Sequence, residues 1–271
     1  MHEVSKAQQQ YLTRLKRHHI FIIVMRVLLL LVFLLTWEYT AKYEIINSFI
    51  FSSPSKIYQC FINMIADGSL FTHVGITLYE TIVSFVLVTI VSLGSATLLW
   101  FFPTLAEIFD PYIVIMNSLP KSALAPLLIV WLGATPKTII IAGMSVAVFG
   151  SVLSLYTHFQ STDSNKIRLI YTLKGNRFHA LTKVVIPSAI PCLLSVMKIN
   201  IGLCLVGVVI GEFLAAKCGL GYLIIYSSQV FKMDWLLLSI VLLCIMAMLL
   251  YGAIQALEKW YHLRNNSSHP K

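Results

Sequence analysis

Charge is what this sequence has least of: only 11% of its 271 residues are Asp, Glu, Lys or Arg, against 58% hydrophobic. A soluble domain carries about 25% charged residues. A water-soluble fold of this length would lack the polar side chains to cover its surface, and a bilayer is the solvent that removes the need. Acidic residues are the scarcer sign, 11 against 20 Lys and Arg, for a net charge of +9. The basic residues sit mainly between apolar runs, as membrane topology requires. The connections are too short to build a groove reader, so nucleic acid is not an expected partner.

Other absences narrow the chemistry. No Gly-rich loop ends in Gly-Lys-Ser/Thr, so the chain carries no phosphate cradle for ATP. It has no nucleophile elbow and no paired zinc histidines. The five cysteines, Cys60, Cys192, Cys204, Cys218 and Cys244, never stand at CxxC spacing, and Cys204 and Cys244 lie inside apolar runs. They read as small apolar filler. The expectation is a non-catalytic membrane chain with no cofactor or metal of its own.

What is present is a succession of apolar runs. Residues 1–19 form a polar, basic tail, followed by Ile20–Trp37, broken by charge only at Arg26. Glu38, Tyr39 and Thr40 come next in place of a small-residue cleavage site, which predicts an uncleaved first span. Thr81–Leu105, Thr138–Thr162 and Trp235–Leu257 hold no Asp, Glu, Lys or Arg; Tyr112–Trp131 holds only Lys121 and Val184–Gly211 only Lys198. About 20 apolar residues cross a bilayer as a helix. The fold class expected is an all-α, polytopic bundle with six spans near 20–38, 75–100, 105–131, 137–158, 184–214 and 235–257, a single membrane domain over 20–258 and a short tail over 259–271. Lys6, Arg14, Lys16, Arg17, then Lys166, Arg168, Lys174, Arg177, Lys183, then Lys259, Arg264 and Lys271 fall on one side. Only Lys42, Lys56, Lys137, Lys217 and Lys232 fall on the other. The asymmetry predicts both termini in the cytoplasm.

The longest connection on that inner side, 159–183, is the most informative segment. Ile167, Leu169, Ile170, Leu173 and Phe178 recur near helical spacing with basic residues between them. Asp163 or Ser164 is placed to cap a first helix, and Gly175-Asn176 to end it and start a second. Two short amphipathic helices joined by a tight turn are predicted, lying on lipid headgroups or against a protein.

From Thr172 through Gly175, Asn176, Arg177 and Phe178 to Pro187 and Pro191, this loop resembles the cytoplasmic motif of binding-protein-dependent ABC importer permeases. Other stretches are similar to the nitrate/taurine/aliphatic-sulfonate branch: Ser53-Pro54-Ser55, Asp110-Pro111, the run from Leu119-Pro120-Lys121 through Pro126 to Trp131 and Gly133, Gly211-Glu212-Phe213, and Gly219-Leu220-Gly221-Tyr222. The resemblance covers about residues 50–260. It departs at Arg168, which stands where that family has an acidic residue, at Leu169 and Ile170 in place of two small ones, at Gly175, one position late behind Lys174, and at Glu80, where a basic residue is common.

The resemblance implies a type I ABC importer transmembrane fold in the cell (plasma or inner) membrane. It implies a second permease copy, commonly making a homodimer, two ATPase subunits and an extracytoplasmic solute-binding protein. ATP is then bound by the ATPase subunits, and the 159–183 loop is the coupling element. Leu173 and Phe178 would be its apolar knobs and Asn176 and Arg177 its register-setting polar groups. A small anion of the sulfonate, taurine or nitrate kind is the favoured solute, a vitamin precursor or other heterocycle the alternative. A stand-alone secondary transporter is more distant, since it predicts an internal repeat and none is visible.

Charges inside spans cost about 2.5–3.5 kcal/mol each at mid-helix on insertion scales. Lys121, between the helix-breaking Pro120 and Pro126, is a candidate for the translocation pathway. So are Lys198 and Glu212, which lie about 40° apart on one helix face, roughly 21 Å along the axis. Gly207 and Gly211 form a small-xxx-small pattern that permits close helix approach, within the chain or between permease copies.

Overall fold

The computed structural model describes residues 6–266, so the ends of the two expected tails, 1–5 and 267–271, lie outside the described residues. Every regular element among the described residues is helical. Helix α1 (Lys6–Lys42) begins well before the first apolar run, and its most apolar stretch buries none of its residues. It lies against the short α2 (Ser48–Phe51) and the amphipathic α3 (Pro54–Ala66). A helical stretch this apolar, left uncovered by its own chain, is stable in lipid. Ser53 and Pro54 open α3: the Ser53 hydroxyl accepts the Lys56 amide at 3.3 Å, and Pro54 takes the first turn, where its missing N–H costs nothing.

The core is a stack of three long helices, α4 (Ser69–Phe101), α7 (Pro136–Gln160) and α10 (Ile186–Ala215), with α7 packed between the other two. Lipid tails are as apolar as leucine, so burying leucine does little to hold these helices together; close approach and interhelical hydrogen bonds do more. Gly207 meets α7 so tightly that a Cβ there would lie 2.8 Å from the Gly143 Cα, and one at Gly211 would lie 3.2 Å from the Ile139 Cα. The small-residue pattern is thus used inside the chain. Ser84 Oγ donates to Ile140 O at 3.0 Å and Ser151 Oγ to Asn200 Oδ1 at 2.7 Å, tying α4 and α10 to α7. Each such bond is worth about 0.6–1.7 kcal/mol in a membrane.

The expected third span is not one rod. Helix α5 (Pro103–Ser118) and helix α6 (Lys121–Leu132) meet at 99°, so among the described residues five helices are long and apolar enough to cross, or six crossings if this bent pair counts as one. The break falls at Leu119-Pro120. Proline pushes its predecessor out of the helical region, and Leu119 is extended at ψ 142°. Pro111 and Pro126 sit inside α5 and α6. Helices α11 (Leu220–Gln229) and α12 (Met233–Asn266) complete the bundle against α10 and α3.

Candidate functional site

Two places gather the residues that sequence reasoning singled out, one at each end of α4 and α10. The first is the elbow between α7 and α10. Asp163 caps α8 (Ser164–Thr172), its carboxylate accepting the Asn165 amide at 2.9 Å. The helix closes in a Schellman turn: Gly175 N donates to Ile170 O at 2.8 Å and Lys174 N to Tyr171 O at 3.0 Å. The left-handed residue of that turn is Lys174, at φ 60°, and not the glycine. Gly175 is needed for a different reason, because a Cβ there would lie 2.5 Å from Ile170 Cγ2 and 2.8 Å from Ile170 O. The shifted Lys-Gly order therefore keeps the turn and moves a strained φ onto a lysine.

Asn176 then caps α9 (Arg177–Ala180) in a reciprocal box with His179: Asn176 Oδ1 accepts the His179 amide at 2.9 Å, and His179 Nδ1 accepts the Asn176 amide at 3.3 Å. A π-helical turn, Leu181–Val185, leads into α10, with Ile186 N donating to Leu181 O. Leu181 and Val185 are buried with Leu155, Phe159 and Ala189, so the elbow is rooted in the bundle. Its outward side is apolar: Leu173 is 71% and Phe178 59% exposed, and Leu169 and Tyr171 are exposed beside them. Arg177 turns the other way. Its Nη2 donates to Trp100 O at 2.8 Å, with the guanidinium 5.3 Å from the Trp100 ring and 5.6 Å from the Phe101 ring.

The second place is a buried polar cluster at the opposite ends of α4 and α10. Glu212, 1% exposed, accepts from Thr77 Oγ1 and from the Gly221 amide, both at 2.6 Å. Thr77 Oγ1 in turn accepts the Leu220 amide at 2.8 Å, and His73 Nδ1 accepts the Gly219 amide at 3.1 Å. The turn Gly219-Leu220-Gly221 wraps the carboxylate so closely that side chains at its glycines would strike it; a Cβ at Gly221 would lie 2.7 Å from Oε2. The amide-rich start of α11 favours an anionic group there. Glu80, 2% exposed, lies against Glu212, and its Oε2 has no hydrogen-bond partner.

The structure separates the three charges expected to share a pathway. Lys121 Nζ donates to Met116 O at 2.6 Å and Asn117 O at 2.8 Å, capping the end of α5. Lys198 Nζ pairs with Glu258 of α12 at 2.7 Å, and Glu212 faces protein on the α4 side. Each is held by partners within the chain. Glu258 and Trp100 have no local signature that links them to Lys198 and Arg177; only the fold brings each pair together.

The chain matches the family described as "Binding-protein-dependent transport system inner membrane component" over residues 89–262. It belongs to that family. Among curated relatives, the permease is 27% identical to a "Probable ABC transporter permease protein" of Haemophilus influenzae, over 82% of this chain and 90% of that one. It is 25% identical to the "Taurine transport system permease protein TauC" of Escherichia coli, over 85% and 86%. It is 24% identical to the "Formylaminopyrimidine transport permease protein ThiX" of Halalkalibacterium halodurans, over 85% and 92%. Among solved structures, its fold is shared with the inward-facing MetNI methionine ABC transporter at TM-score 0.61 and 19% identity, over 69% of this chain and 93% of that one. The permease is thus a helical membrane subunit of an ABC transport system, and its family carries dependence on a binding protein in its description.

Proposed function

We propose that this permease pairs with a second copy to form the translocation pathway of an ABC importer in the cell membrane, both termini cytoplasmic. Two ATPase subunits lie below, each gripping the α8–α9 elbow of one copy, and an extracytoplasmic solute-binding protein delivers the solute from the other side. The observation that carries this reading is the doubly capped elbow, with Leu173 and Phe178 projecting from a turn that is rooted in the core and continuous with α10. A segment that merely floats on headgroups needs an apolar stripe but no such rigid mounting. A lever needs both: apolar knobs for a cleft on the ATPase, and a stiff shaft to move.

The solute is a small molecule or ion for which two readings stand. The taurine relative supports a sulfonate-like anion. The formylaminopyrimidine relative supports a heterocycle, and the engagement of Lys121 and Lys198 within the chain takes away the side chains that favoured an anion. Uptake of a labelled panel of sulfonates, nitrate and pyrimidines by cells with and without this permease distinguishes them. Phe178→Ala tests the lever: uptake should fall tenfold or more, the change expected when about 1.4 kcal/mol of coupling is lost, with membrane insertion unchanged. Normal uptake by a well-expressed Phe178→Ala protein would overturn the reading.

A further inference from the structure

We propose that Arg177 is a positioning residue that clamps the elbow to the end of α4, so that α4 and α10 move as one body when the elbow is pulled; this rests on the lever reading above. The argument begins at the C-terminus of α4, where the last carbonyls have no partner inside the helix. Phe102 N satisfies Leu98 O, and Pro103, with no N–H, begins the next helix. Trp100 O, in the last turn, accepts its bond from Arg177, 77 residues away. A guanidinium at this spot also meets the negative end of a 33-residue helix. The flanking Trp100 and Phe101 rings add cation–π contacts that suit a flat cation. Both rings are partly buried against the cluster formed by Leu155, Phe159, Leu181 and Val185, so the clamp is seated in the bundle and does not wave in solvent.

The consequence lies in where the two helices go. The elbow is joined covalently to α10 through the π-helical turn, and is hydrogen-bonded to α4 through Arg177. Helix α4 then runs as one rod for about 50 Å at 1.5 Å per residue. At its far end Thr77 holds Glu212 of α10 and the Leu220 amide of α11. The two shafts are thus pinned to each other at the far end and joined through the elbow at the near end. With Arg177 removed, a pull on the elbow acts on α10 directly and reaches α4 only through α7 and the far-end pin, so the near end of α4 can lag behind.

The test uses the permease–ATPase complex in nanodiscs, in a cysteine-free background, with spin labels at Leu98 on α4 and Leu203 on α10, both exposed positions, and magnesium-ATP as the probe. In the parent protein the label separation should be the same with and without nucleotide. In Arg177→Ala the ATPase should stay bound, hydrolysis should continue, and the separation should shift by about 2 Å or more on adding ATP. Arg177→Lys, which keeps the charge but loses the planar fork, should show a smaller shift of the same kind. A separation that stays locked in Arg177→Ala would overturn the clamp. So would loss of the ATPase from that variant, which would make Arg177 a contact residue. Retention of full ATP-driven uptake by Phe178→Ala would instead overturn the lever reading itself.

Discussion

The two ends of α4 and α10 are built on opposite plans. At the elbow, apolar side chains point out and the turn is held by neighbours in sequence: Asp163 on Asn165, Gly175 on Ile170, Asn176 on His179. At the far end, polar side chains point in, and Glu212 is held by Thr77 from another helix and by Gly221 from the turn wrapped over it. One end is arranged to be gripped, and its turn is shaped chiefly by bonds between near neighbours. The other joins three helices and has no shape without them. The difference teaches where damage should fall: far-end changes should unfold the subunit, elbow changes should leave it folded and idle.

Gly221→Val should have the largest effect. An added Cβ meets Glu212 Oε2 at 2.7 Å, Glu212 Cβ at 2.9 Å and Val209 O at 3.0 Å; the carboxylate end could swing, but the Cβ and the backbone oxygen cannot. A loss of about 3 kcal/mol or more is expected, read as a collapse in folded yield and thermal stability in detergent. Phe178→Ala comes next and sharpens the contrast: tenfold or greater loss of uptake, with stability changed by no more than about 0.5 kcal/mol. Equal thermal stability of these two variants would break the comparison.

Lys174→Gly should stabilise the elbow. A non-glycine residue at φ 60° carries a steric cost of about 1 kcal/mol, part of which is returned as greater freedom of the unfolded chain. The net gain should be about 0.5 kcal/mol, visible as slower amide exchange over residues 164–176.

The smallest effect is at the α3–α4 corner. Ser69 donates to Asp67 Oδ1 through both its amide, at 2.9 Å, and its hydroxyl, at 2.6 Å, which hold the Asp67 carboxyl below the usual range. A depressed carboxyl contributes order above its unfolded pKa and loses it as pH falls through the folded one. Acidification below the ordinary aspartate range should therefore fray the first turn of α4, seen as faster exchange at Ser69 and Leu70. Asp67→Asn should remove that pH dependence.

Much of the elbow was legible because its devices are local. A cap, a left-handed turn and a capping box need residues two to five apart, and the run from Asp163 to Phe178 carries them in order. The offset of Gly175 was legible as well; that Lys174 takes the left-handed position was not, since two adjacent residues compete for one conformation and only the packing of Gly175 on Ile170 decides it. The roles of Lys121, Lys198 and Glu212 were not legible. A charge in an apolar run signals that a partner exists, but the partners are carbonyls at the end of α5, a glutamate on α12 and a threonine on α4.

The sequence by itself determined that this protein lives in lipid, that its regular structure is helical, where most of its helices run, and where the helices of the elbow begin and end. Those follow from transfer free energy and from hydrogen bonds between near neighbours, which act along the chain. Only the tertiary structure decided that Arg177 faces inward to Trp100, that Gly207 and Gly211 serve α7, and that Glu80 meets Glu212. These depend on how far each helix turns about its axis as it packs, and in a bilayer that rotation is set by steric fit and paired polar groups across helices, not by any pattern within one.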